Sequence, residues 1–275
     1  MNMQTKGPEL LQKNVGKLKS RMGTFYPGSH VIFRGHDLHT ELQDMDWIEL
    51  YVFGITNRRF NKEQLQLIHA IFTYTSYPDV RLWNNRIAAL AGSSRSTGTL
   101  GLSAALAVSE ASIYGGGIIT RTIDFLMRTQ RLMELGASLD DCLARELSER
   151  RIIGGYGRPI INADERIAPL MELARNLGLD QGPHLQLAFA VEEKLLASGR
   201  PRLKMNYAAL ISALGADIGF TPKEFSLLVF PLFLAGMPQG YIESTERPEG
   251  TLYPIPCANI VYEGKSRRPW LNALK

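Results

Sequence analysis

Cysteine is scarce in this 275-residue chain: there are two, Cys142 and Cys257, and they form neither a CxxC pair nor a cluster with histidine. A disulfide-stapled secreted scaffold and a structural zinc site are therefore excluded, and the count suits a reducing, cytoplasmic setting. A dominant charge is missing too. The 31 Lys and Arg stand against 27 Asp and Glu, a formal +4 that is too mild and too dispersed for a nucleic-acid protein but suits an anionic substrate. Long apolar runs are lacking: the longest, Phe225 to Met237, contains Pro231 and is shorter than the ~18 residues a membrane span needs. The N-terminal MNMQTKGPELLQKNVGKLKSR has no apolar core of a signal peptide. A soluble protein is expected, with neither nucleic acid nor membrane as partner. No GxxxxGK[ST] phosphate loop occurs, nor a GxGxxG between a strand and a helix.

What is present is enough apolar residue, 45%, to bury a real core, together with recurring helix punctuation. Thr221-Pro222-Lys223-Glu224 reads as an N-cap, a first-turn proline and a capping-box acid, followed by Phe225, Leu228, Val229 and Leu232 at helical spacing. That stripe is too apolar for an exposed face, so a dimer interface is expected there. Asn61 with Gln64 and Ser138 with Asp141 give two further starts. Leu170, Leu173, Ala174 and Leu177 run into Gly178, and Tyr207, Leu210, Ile211 and Leu214 run into Gly215 as a helix stop. Alternating apolar and polar runs are scarce, so the fold class expected is all-α. The most permissive backbone is Gly115-Gly116-Gly117 and Gly154-Gly155-Tyr156-Gly157, each a candidate hinge, turn or helix boundary.

At these glycines a family resemblance enters. IYGGG at 113–117, GGYGRPIINADER at 154–166 and Lys204-Met205-Asn206-Tyr207 resemble the three ordered motifs of the citrate synthase superfamily. Arg34-Gly35-His36-Asp37-Leu38, Leu90-Ala91-Gly92-Ser93-Ser94 and Gly240-Tyr241-Ile242 resemble three of its flanking stretches, and the six matches keep the family order. The resemblance implies a citrate synthase-like helical homodimer with a large domain (1–117 and 208–275), an inserted small domain (118–207) and a cleft that closes over a CoA thioester. By length the chain looks like a stand-alone citryl-CoA lyase or the corresponding part of ATP-citrate lyase.

At the family's three catalytic positions, His, His and Asp, this chain has Tyr114, Arg158 and Asn206. A carboxamide has no useful basicity near neutral pH, so Asn206 cannot abstract a carbon-bound proton. Tyr114 can donate a hydrogen bond to a thioester or enolate oxygen, and Arg158 can pair a carboxylate or an oxyanion. Arg166 matches the family arginine that grips a keto-acid carboxylate, whereas a second clamp arginine is replaced by Met237. The third has no match in Pro254-Ile255-Pro256-Cys257. Arg202, Lys204 and the Lys265-Arg267-Arg268 tail are the candidates for CoA phosphates, and no metal or covalently bound cofactor is expected. The expected activity is carbon–carbon cleavage or decarboxylation of an atypical acyl-CoA through an enolate. The alternative is an inactive homologue that binds an acyl-CoA or carboxylate as a regulatory or assembly partner.

Overall fold

The computed structural model describes residues 7–16, 18–158, 163–252 and 257–267. In chain order they form α1 (Gly7–Asn14), β1 (Gly23–Tyr26), β2 (His30–Phe33), β3 (His36–Asp37), α2 (Trp47–Thr56), α3 (Lys62–Thr75), α4 (Trp83–Ser93), α5 (Gly98–Val108), α6 (Gly116–Glu134), α7 (Leu139–Arg150), α8 (Ile167–Asn176), α9 (Pro183–Ala197), α10 (Tyr207–Asp217), α11 (Pro222–Val229) and α12 (Pro238–Glu246). Helix dominates, as expected. The addition is a small antiparallel sheet in the order β1-β2-β3, with Gly23 opposite Phe33 and Ile32 opposite Asp37. Pro254 to Pro256 and Arg268, singled out in the sequence, lie outside the described residues.

The helix starts follow from their caps. Thr221 accepts from the Glu224 amide while Glu224 accepts from the Thr221 amide, a complete capping box at α11. Asn61 and Gln64 make the same reciprocal pair ahead of α3, and Ser138 accepts from the Asp141 amide at α7. Each such cap is worth ~1 kcal/mol.

The chain divides into two compact units: Met1–Thr75 with Glu110–Leu232, and Ser76–Ser109 with Phe233–Lys275. The segment 118–207, expected as a small domain, falls wholly within the first unit. There α10 is the central element, with Tyr207 and Ala209 through Ala216 all buried, and α6 and α9 pack against it. Gly215 does not stop α10. The helix continues to Asp217, and Gly215 makes room for the Phe225 ring, which would lie 2.5 Å from a Cβ there; the left-handed turn comes later, at Gly219 with φ 93°. Phe225, Leu228, Val229 and Leu232 are buried within this unit, where α11 packs on α6 and α2, so that stripe needs no second subunit to cover it. This removes the physical reason given above for a dimer interface at those residues.

In the second unit α4, α5 and α12 pack together around Ala88, Ala105 and Met237. Gly92 and Gly240-Tyr241-Ile242, two of the stretches noted in the sequence, meet there: a Cβ on Gly92 would collide with the Tyr241 carbonyl. The Tyr241 hydroxyl donates to Ser96 O at 2.8 Å.

Candidate functional site

The 154–158 loop is held by the residues just ahead of α10. Gly155 has φ 84°, and a Cβ on it would lie 2.9 Å from the Ala209 amide nitrogen, so only glycine fits. The Asn206 amide donates to Gly155 O at 2.9 Å, Tyr156 bridges Met205, and the Gly157 amide donates to Lys204 O at 2.6 Å. These bonds deliver Arg158 to the N-terminal end of α10.

Asn206 is engaged at both ends of its carboxamide. Oδ1 accepts from the Ala208 amide at 2.9 Å as the N-cap of α10, and Nδ2 donates to Gly157 O at 2.8 Å. It ties the loop to the helix.

Beside it sits a cluster that the sequence reading passed over. The Asp164 side chain is fully buried and accepts from Arg166 Nε and Nη2, each at 2.8 Å, and from the Tyr207 amide at 2.9 Å. Arg158 Nε lies 3.9 Å from the same carboxylate. Burial alone would raise the pKa of Asp164, but the Arg166 fork, the Tyr207 N–H and the nearby Arg158 charge outweigh it and hold the carboxyl below its usual range. The Arg166 guanidinium lies 4.3 Å from the centre of the Tyr207 ring, a cation–π contact. Burial pushes the Tyr207 phenol up; its hydroxyl donates to Ile71 O at 3.2 Å.

Arg158 is held differently. Its Nη1 donates to Ala163 O and to Glu165 Oε2, both at 2.7 Å; the Glu165 side chain is 56% exposed. The structure thus gathers Arg158, Asn206 and Arg166 around Gly157 and Asp164. Tyr114 is not bonded to any of them. It occupies the turn ahead of α6 at φ 64°, 61% exposed, and its hydroxyl makes no hydrogen bond among the described residues. Gly115 then caps α6.

Met237 is completely buried in the second unit among Ala88, Ala105, Phe233, Leu234 and Tyr241, where its side chain packs and offers no surface to a ligand. Arg202 and Lys204 are exposed beside the 154–158 loop. Asp164 was visible in the sequence only as a neighbour of Arg166. Its signal was an aspartate just ahead of a helix start, a position that favours side-chain capping, but its backbone partner, Tyr207, is remote in sequence.

No protein-family model matches this sequence, and no curated protein sequence does. Solved structures do. Citryl-CoA lyase from Hydrogenobacter thermophilus superposes with a TM-score of 0.79 at 17% identity, over 94% of this chain and 98% of that one. ATP citrate lyase from Methanothrix soehngenii, solved in complex with citrate and coenzyme A, gives 0.73 at 18% identity, over 97% of this chain and 45% of that one. A citrate synthase from Thermotoga maritima gives 0.60 at 18%, over 83% and 59%. The six ordered motifs, the helical architecture and these superpositions agree: the chain has the fold of the citrate synthase superfamily.

Proposed function

We propose that this protein acts on a CoA thioester, cleaving a carbon–carbon bond or decarboxylating an acyl group, with the enolate stabilised by Tyr114 and Arg158. The observation that carries this reading is that neither Asn206 nor Asp164, the two groups at the start of α10 best placed to act as a carbon base, is basic. Asn206 is a non-basic carboxamide already bonded at both ends, and Asp164 is a buried carboxylate held low by Arg166. Neither can abstract an α-proton. In decarboxylation carbon dioxide leaves, and in cleavage the β-hydroxyl gives up its proton as its carbon becomes a carbonyl. In both, the electron pair of the broken bond becomes the enolate, which is then protonated at carbon, so no α-proton needs removal. A Tyr114 hydroxyl with no hydrogen bond among the described residues and a partly exposed Arg158 are suited to meet that oxyanion. The superposed lyases support the CoA thioester as ligand class. Arg202 and Lys204, exposed beside the loop, are proposed to meet its phosphates, and a cytoplasmic homodimer belongs to the same proposal.

A second reading is supported by the internal pairing of Asp164, Arg166 and Asn206: a non-catalytic homologue that binds an acyl-CoA or carboxylate. One experiment separates them. Thermal unfolding with acetyl-CoA and with citryl-CoA at 100 times the dissociation constant should show about 2.7 kcal/mol of added stability under either reading. Release of acetyl-CoA from citryl-CoA or a related acyl-CoA, lost in Tyr114→Phe, supports the enzyme. Stabilisation without turnover of any acyl-CoA supports the binder. No stabilisation by any CoA ester rejects the enzyme, and no stabilisation by a CoA ester or a carboxylate rejects both.

A further inference from the structure

Two arginines meet two carboxylates at the start of α10, but the pairs are not equivalent. Arg166 is 20% exposed, its fork is filled by a carboxylate with no exposure, and that carboxylate also takes a backbone N–H of α10. Arg158 is 27% exposed and also donates to Ala163 O, but its other carboxylate partner, Glu165, is more than half exposed. An exposed ion pair is close to break-even against hydration, whereas removing one member of a buried pair strands a charge in the protein. An arriving carboxylate therefore displaces Glu165 and leaves Asp164 in place.

We propose that Arg158 is an exchangeable anion site, filled by Glu165 in the unliganded chain, and that it selects a ligand presenting a single carboxylate. This deepens the reading of Arg158 as a ligand-facing residue and rests on it. The selectivity follows from charge. With Asp164 balancing Arg166, displacement of Glu165 exposes one positive charge, enough for one carboxylate. A second or third carboxylate at the same end would find Arg166 occupied and Asp164 facing it. The site would then reject di- and tricarboxylates that two open arginines would favour. Glu165 is the specificity-determining residue, because its carboxylate is the competitor that every ligand must replace.

The test is isothermal titration calorimetry of the full chain with pyruvate, which has one carboxylate, and with citrate, which has three, in the absence of any CoA compound. Glu165→Gln keeps the shape and removes the competing charge; it should lower the pyruvate dissociation constant about tenfold, which is 1.4 kcal/mol. Adding Arg158→Lys to that variant should return affinity to the wild-type level or below, because a lysine point charge lacks the planar guanidinium geometry that meets a carboxylate. Citrate should bind no tighter than pyruvate to either protein. An unchanged pyruvate affinity in Glu165→Gln, citrate binding tenfold tighter than pyruvate, or no pyruvate heat from any variant would each overturn the proposal. Circular dichroism of every variant confirms that the fold is kept. The carboxylate titrations do not involve CoA, so a failure of CoA esters to stabilise the protein counts against the proposed function and leaves this result to be read separately.

Discussion

The starts of α10 and α6 carry Asn206 and Tyr114, and they are built in opposite ways. At α10, Asn206 is bonded through both carboxamide ends, Tyr207 donates its amide to Asp164, and Arg166 lies across the Tyr207 ring. At α6, Tyr114 sits in the left-handed region with an exposed ring and an unpaired hydroxyl. The first start is held together by its polar side chains, so substitutions there register as lost stability. The second keeps a left-handed, mostly exposed side chain whose hydroxyl makes no hydrogen bond among the described residues, so substitutions there are expected to register in ligand response.

The largest expected effect is at Asp164. Asp164→Ala removes the buried carboxylate that fills the Arg166 fork and accepts the Tyr207 amide, so urea unfolding should show a loss of about 3–5 kcal/mol; a loss below about 1 kcal/mol would break the comparison. The same carboxylate gives a pH signature. Its pKa is depressed in the folded state, so its contribution is present above the unfolded value near 4 and is lost as pH falls through the lower folded value. Wild-type stability should therefore drop more steeply than that of Asp164→Asn below about pH 4, measured by thermal melts across an acid series.

Next comes Asn206→Ala, which removes the α10 cap and the bond to Gly157 O. A loss of about 1–2 kcal/mol in the same urea assay is expected. The smallest effect has the opposite sign. Tyr114→Gly relieves a left-handed residue and should raise stability by about 0.5–1 kcal/mol while weakening the response to CoA esters. If it destabilises instead, Tyr114 belongs with the structural residues of the α10 start and the contrast fails.

Much of the fold could be read from local chemistry. Thr221 with Glu224 and Asn61 with Gln64 announce helix starts because both halves of each bond lie within four residues of sequence. Gly215 shows where such reading stops. A glycine after an apolar stripe looks like a helix end, but whether it adopts positive φ or makes room for a ring such as Phe225 depends on what packs against it. The short sheet was missed because β1 is exposed throughout and β2 is uniformly half-buried, so neither strand writes an alternating pattern. At the site, the motif resemblance brought Arg158, Asn206 and Arg166 into view together, and their bonding partners were hidden. Asp164 finds Tyr207, and Asn206 finds Gly157, across long stretches of chain that spacing rules do not span. Met237 reads as a changed clamp in the motif order, and its complete burial makes it a packing residue.

The bond from Asn206 Nδ2 to the Gly157 carbonyl also shapes which mutational paths are open. The single change Asn206→Asp looks like the shortest route to a carbon base. It would keep the oxygen that caps α10 but set its other oxygen against a carbonyl oxygen 2.8 Å away, with no hydrogen to share. The favoured response is for the new carboxyl to hold its proton and donate it to Gly157, which leaves a neutral acid instead of a base. A single exchange here therefore trades the bond across the loop for a neutral acid, and a basic carboxylate at this position also needs the Gly157 carbonyl to turn elsewhere.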